Sequence, residues 1–395
     1  MPRSGNGSDS QTSIDARLDS ESQGPNRSLA SVHTRNFPEL LEHLNSSLAV
    51  STYQAGKLIL LRADGHSINT HFRTFNRPMG LAADSDRLAL GAFMEIAEFR
   101  NMPALAARLQ QPPRHDAVYL ARRGHITGAI DIHEMAWDGD GELWFVNTLF
   151  SCLCTLDSKS SFVPRWRPSF VSHYAPEDRC HLNGLGMRDG KPRYVTSLGD
   201  TNTPGGWRAN KRDGGLLIDL ENGRILCQGL SMPHSPRWYD NRLWVLESGR
   251  GALVRVDPET GVRSDVGFVP GFARGMDFIG PLAFIGLSRL RESNPFTDIP
   301  ITDDNRERLS GVWVVNIESG KTVAFLKFTG GVEEIFAVQA LRGVRFPEIL
   351  SEQEYLQNSY ALPDEALQQV RLSPSQTQIA DTDANQATPA IDDDD

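Results

Sequence analysis

Short apolar runs, each broken by Gly, Asn, Asp or Pro, follow one another along most of this chain. Val254-Arg-Val-Asp-Pro-Glu-Thr-Gly-Val-Arg alternates, turns and alternates again, the signature of a hairpin with one face buried. Leu217-Ile-Asp-Leu-Glu-Asn-Gly-Arg-Ile-Leu carries an Asn-Gly hairpin turn, whose two residues both accept positive φ. Val312-Trp-Val-Val-Asn-Ile is β-branched and apolar, and Glu318-Ser-Gly-Lys closes it. Windows with helical periodicity are few, so the pattern predicts an all-β chain of many short strands.

The runs repeat. Arg77-Pro-Met-Gly-Leu-Ala, His133-Glu-Met-Ala-Trp-Asp, His181-Leu-Asn-Gly-Leu-Gly, His234-Ser-Pro-Arg-Trp-Tyr and Arg274-Gly-Met-Asp-Phe-Ile align, and a weaker copy begins at Val332. After each of the first five come a polar turn and an apolar strand, such as Leu143-Trp-Phe-Val-Asn and Leu243-Trp-Val-Leu-Glu. The copies lie 40 to 58 residues apart, against roughly 40–50 for a four-stranded propeller blade. The reading is a six-bladed β-propeller, each blade four antiparallel strands, A to D. Blade one is assigned Gly80–Ala83, Leu88–Ala92, Ala117–Ala121 and His125–Ile132. The sixth copy supplies one strand, near Ile335–Gln339, and Leu48–Tyr53, Lys57–Arg62 and His66–Phe72 are left over at the other end of the chain. A last blade built from both termini uses all four and leaves no open sheet edge.

Composition narrows the setting. Residues 1–35 are polar and rich in Ser, Asn and Gly, and from Ser373 the chain is Gln-, Thr- and Asp-rich, ending in Asp392–Asp395. Both read as disordered, flanking a propeller at 36–346 and an extension at 347–372. Much of the formal charge of −10 lies after residue 346, so the body is near neutral. That argues against nucleic acid, which needs a basic surface. No apolar run is long enough to span a bilayer and no secretory h-region is found. Four cysteines without Cys-x-x-Cys spacing fit a reducing cytoplasm. Cys180, beside His181, reads first as a small buried residue and second as a ligand.

The chemistry sits on one face. D-to-A and B-to-C connections share a face of the ring, and the long B-to-C insertions are expected at Phe93–Asp116, Gly199–Gly214 and Ser288–Gly311. His133, His181 and His234 begin three consecutive inner strands, so they meet these loops at the channel mouth. Three imidazoles with an open position suit a divalent metal, zinc first, with iron or copper also accepted. Against this stands the plainer reading that each histidine caps its own strand. Three adjacent blades span half the ring, which puts a shared metal off the axis. Arg77 and Arg274 occupy the histidine position in two other copies and suit a carboxylate or phosphate, unless Glu134, Asp277 or Glu333 pairs with them. Glu333 and Glu334 are candidate bases. Asn183, Asp200, Arg208 and Glu247 are candidate substrate contacts. Trp137, Trp144, Trp238 and Trp244 read as packing.

The copies at His133, His181 and His234 resemble an uncharacterised bacterial family carrying a domain of unknown function, from about Phe37 to Phe346. More remotely the blades are similar to the six-bladed NHL and SMP-30/gluconolactonase-like propellers. That resemblance implies metal-dependent lactonases, whose mainly carboxylate and Asn ligand pattern this chain departs from. It also implies a zinc lyase whose three histidines His133, His181 and His234 would match. Fold analogy transfers no chemistry. Two functions remain: a metal-dependent hydrolase, lyase or oxygenase, or a non-catalytic propeller that binds a small molecule, peptide or carbohydrate.

Overall fold

The computed structural model describes residues 29–370 apart from 107–108, 110–113, 290–297, 304–306 and 352. It is a ring of six antiparallel blades. The inner strands are Leu81–Ala83, Ile132–Trp137, Leu182–Arg188, Pro233–Tyr239, Phe272–Ile279 and Ala337–Arg342. The sixth blade closes as the pattern requires: Ala337–Arg342 from the C-terminal side pairs with Ser46–Thr52, followed outward by Lys57–Asp64 and Ser67–Thr74. Leu48 faces Ala340, and Ser51 faces Ala337.

Why a strand such as Lys57–Asp64 carries four consecutive apolar residues follows from the ring. Neighbouring blades cover both faces of each blade, so both sets of alternating side chains must be apolar. Leu58 and Leu60 pack with Leu81, Leu88 and Leu90 of blade one. Ile59 and Leu61 pack with Phe284, Val312 and Val314 of blade five. The core is accordingly a set of layers between blades.

A repeated hydroxyl stitches these layers at the mouth. At the end of strand B, Ser51 Oγ donates to Met79 O (2.5 Å), Thr148 Oγ1 to Leu182 O (2.6 Å), Ser248 Oγ to Ala273 O (2.5 Å) and Ser288 Oγ to Ile335 O (3.0 Å). In blade three Asn183 does this instead, donating to Pro233 O at 3.0 Å while accepting from Thr196 Oγ1 at 2.6 Å. Blade one has Gly91, where a Cβ would lie 2.7 Å from Ile132 Cγ2.

Three expectations are corrected. Blade one has its third strand at Glu95–Asn101 and its fourth at Ala117–Ile126. Its insertion therefore joins C to D and emerges on the face away from the histidines, where Asn101 N donates to Asp86 O in the A-to-B turn. The polar, charged sequence of Glu95–Asn101 concealed a strand only partly covered by neighbours. Ser31–His33, assigned to a disordered leader, adds an outer strand to blade five by pairing with Thr322–Phe328. Pro347–Leu350, assigned to an extension, pairs in parallel with blade one's outer strand. The rest of 1–35 before residue 29, and the tail from 371, lie outside the described residues.

Candidate functional site

The mouth is built from chain connections that run against backbone preference. Arg77, Asp131, Asp178, His181 and Met232 all have φ between 47 and 54°, a left-handed conformation uncommon for non-glycine residues and concentrated at functional sites. In two copies the turn does the same thing. Asp131 and Met232 turn the chain so that the imidazole two residues on folds back onto their carbonyls. His133 Nδ1 lies 3.2 Å from Asp131 O and 2.8 Å from Thr148 Oγ1. His234 Nδ1 lies 3.0 Å from Met232 O and 2.9 Å from Ser248 Oγ.

The inter-blade hydroxyls decide the tautomers. Thr148 and Ser248 have already given their single proton to Leu182 O and Ala273 O. Towards the histidines they accept, so each Nδ1 carries the hydrogen. In the third copy the positive φ moves to His181 itself, and its Nδ1 donates to Asp178 Oδ1 at 2.9 Å. Asp178 is held in turn by Trp207 Nε1 (2.8 Å) and Arg208 (3.1 Å). Burial pushes His133 and His234 well below the usual imidazole range, and the Arg274 charge adds to this. Both are neutral at pH 7. The Nε2 atoms of these two are left as bare acceptors. Among the described residues neither they nor His181 Nε2 has a protein partner, and none belongs to the fully enclosed unpaired atoms, so solvent reaches them.

Arg274 completes the centre. Its guanidinium lies 3.6 Å from the centroid of Phe336 and 3.5 Å from Glu334 Oε1. It makes no hydrogen bond among the described residues, and its N–H groups are also not sealed from solvent. Burial lowers its pKa to about 10, with Glu334 opposing. Phe336 also touches His133 (5.0 Å between centroids), His133 touches His181 (4.8 Å), and His181 rests on Trp207 (4.4 Å). Tyr53 and Asp131 border the same space. Burial raises both pKa values.

The candidates divide. His133 and His181 converge, while His234 packs edge-on to Phe272 at 5.6 Å. Among the described residues no group of three or more His, Cys, Asp or Glu is placed to hold a metal ion. Arg77 stands at the rim over Phe93 (4.7 Å) and Tyr53 (5.8 Å). Glu134 and Asp277 pair with Arg237 and Arg342 instead of the mouth arginines. Glu333 lines a separate depression with Arg289 and Phe328, and Glu334 is the residue beside Arg274. Asn183 is consumed by the stitch between blades. Glu247 is buried and bound by Arg250, Arg263 and Ser231 N, which makes it a structural anchor. Arg208 covers Trp207, and Asp200 is exposed on the same insertion. Cys180 is a core residue whose thiol burial pushes up to about 12.

Sequence reasoning missed Asp131, Asp178, Phe336 and Tyr53. It also missed the long D-to-A connection before His181. Gly205 N donates to Glu177 O, and Arg179 bonds Asn202 at 2.8 Å, so this connection and the blade-three insertion form one unit. The only signal was length: the chain from Trp166 to His181 has no alternation to make a strand.

Comparison with known proteins places the chain but assigns no activity. No curated protein matches it. Among solved structures, a chain from a nidogen/laminin complex matches with a TM-score of 0.49 and 10% identity, covering 75% of this chain and 99% of that one. A protein of unknown function from Bacteroides caccae matches with a TM-score of 0.47 and 12% identity, over the same shares. Residues 35–350 match the model of a domain of unknown function, DUF4915, and the chain belongs to that family.

Proposed function

We propose that the channel mouth binds a small organic anion, held by Arg274. One observation carries this reading: a buried guanidinium with one ion pair and no hydrogen bond. Buried charges are ordinarily paired and fully bonded, because desolvation costs several kcal/mol per ion. A planar guanidinium with open N–H groups matches a carboxylate or phosphate. Arg77 at the rim adds a second positive charge on the way in. The strained connections and the aromatic backing of each polar group hold these atoms in place before a ligand arrives.

The test is calorimetric titration of the purified protein with simple carboxylates and phosphates, repeated on Arg274→Gln. A hydrogen bond to a charged group contributes about 1.5–3 kcal/mol, so the variant should bind at least about tenfold more weakly. Equal binding by both proteins would refute the assignment.

A second reading keeps the histidines as ligands of a divalent metal and the protein as a metal-dependent enzyme. The locked Nδ1 atoms favour it, since metal-bound imidazoles ordinarily give their other N–H to such partners. As they stand, the three rings do not form one donor set. Elemental analysis of the protein and of His181→Ala tests it. We also place the protein in the cytoplasm as a proposal. No described helix is long and apolar enough to cross a membrane, and the four cysteines are free.

A further inference from the structure

The tautomers say more about the ligand than the arginine does. Beside the Tyr53 hydroxyl, the polar atoms that an anion on Arg274 would meet are mainly acceptors. These are the bare Nε2 atoms of His133 and His234, with the carboxylates of Asp131 and Glu334 close by. Carboxylate oxygens accept and do not donate. A second anionic group would be repelled, and an apolar body would leave these polar atoms unpaired as water is expelled.

The ligand must therefore carry one anionic group for Arg274 and separate hydrogen-bond donors for the imidazoles. These two imidazoles begin inner strands of blades two and four, so the donors must be spread out. One ammonium group sits at a single point and cannot serve two rings that begin strands two blades apart. Hydroxyl groups along a carbon chain can, each donating to one Nε2 while accepting from a neighbour or from Arg77 at the rim. We propose that the mouth selects a hydroxylated monocarboxylic acid, its carboxylate on Arg274 and its hydroxyls donating to the Nε2 atoms of His133 and His234. This rests on the anion-binding reading above and narrows it.

The experiment compares matched pairs by calorimetry at pH 7.5: glycerate with propionate, threonate with butyrate, gluconate with hexanoate. At least one hydroxy acid should bind tenfold or more tightly than its deoxy partner. In His133→Leu and His234→Leu that preference should shrink to within about threefold, with deoxy-acid affinity retained. The preference is a ratio read within one variant, so it does not depend on how much of that variant is folded. If the deoxy acids bind as well as the hydroxy acids, the inference falls while the anion site stands. If no acid of either series binds but phosphate does, the inference falls while the anion site stands; if neither binds, both readings fall. If amino acids such as serine outcompete every hydroxy acid, an ammonium has taken the donors' place and the hydroxyl assignment is wrong. Should zinc sulfate saturate the histidines and abolish hydroxy-acid binding, the lone pairs serve a metal and the inference is overturned.

Discussion

Arg274 and the histidines make opposite demands on stability and binding. A buried guanidinium without hydrogen bonds is costly to keep folded, so Arg274→Met should melt no lower than the parent while losing anion binding. A marked loss of stability in thermal melts would mean that the stacking on Phe336 and the Glu334 pair outweigh desolvation, and that the arginine is structural. The histidines give a pH signature. His133 and His234 have folded pKa values below the unfolded value of 6.5. The unfolded chain therefore binds protons first as pH falls. Their neutral burial is without penalty above about pH 6.5, and below it each costs up to about 1.4 kcal/mol per pH unit. Urea midpoints should drop from pH 6.5 downwards, and the slope should flatten in His133→Gln/His234→Gln. At this scale the chain announced its histidines and arginines, because they fall in register at one step of a repeat. It could not announce Asp131 or Asp178. They lie in connections whose residues are chosen for a strained turn, and no periodicity marks them.

Elements show the same division between what repeats and what does not. Inner strands and strand B were readable because both faces are apolar. Blade one's third strand was not, because a partly covered strand can carry Glu95, Glu98 and Arg100 and look like a loop. The outer strand Pro347–Leu350 was missed for a related reason: it is only four residues long, and a buried polar cluster anchors it beside the packing of Ile349 and Leu350. Glu348 lies 2.5 Å from His71 Nε2, 3.2 Å from Arg73 and 3.7 Å from Arg62, whose Nη1 also donates to Pro347 O at 2.6 Å. Glu348→Ala would strand Arg62 in the interior, and removing one partner of a buried pair costs about 3–5 kcal/mol. A urea midpoint unchanged in that variant would show the outer strand to be an ornament. The blade-three insertion also differs from a free surface loop. Trp207 is buried with Leu198, Met232, Phe272 and Ile299, so cutting 199–214 to a tight turn should lower stability as well as binding. Trp207→Ala alone should cost about 3–5 kcal/mol. Denaturant melts that match the parent would return the loop to the surface.

The molecule as a whole depends on a joint that the sequence shows only as an imbalance: one inner strand without outer strands at the C-terminal side, and three outer strands without an inner one at the start. Every inter-blade layer needs both its neighbours. Without Ser46–Thr74, Leu81, Leu88 and Leu90 on one side and Phe284, Val312 and Val314 on the other would face water. At roughly 25 cal/mol per Å² of apolar surface, two uncovered layers outweigh the few kcal/mol by which a domain is stable. The break can be made without deleting anything. Asn76 and Arg77 lie in an exposed connection on the mouth face, where cutting the chain removes no strand. Residues 77–395 expressed alone should be insoluble or lack a cooperative melt. Co-expressed with residues 1–76 they should be recovered as a complex of the two pieces, because the six pairs from Ser46↔Arg342 to Ser51↔Ala337 and the flanking leucines can form between separate chains. The join at the mouth would then also restore Arg77 to its place over Phe93, so the complex should bind whatever anion the intact chain binds. A cooperative melt from residues 77–395 alone would show that five blades and a lone inner strand can close the ring, and the two-ended blade would lose its role as the clasp.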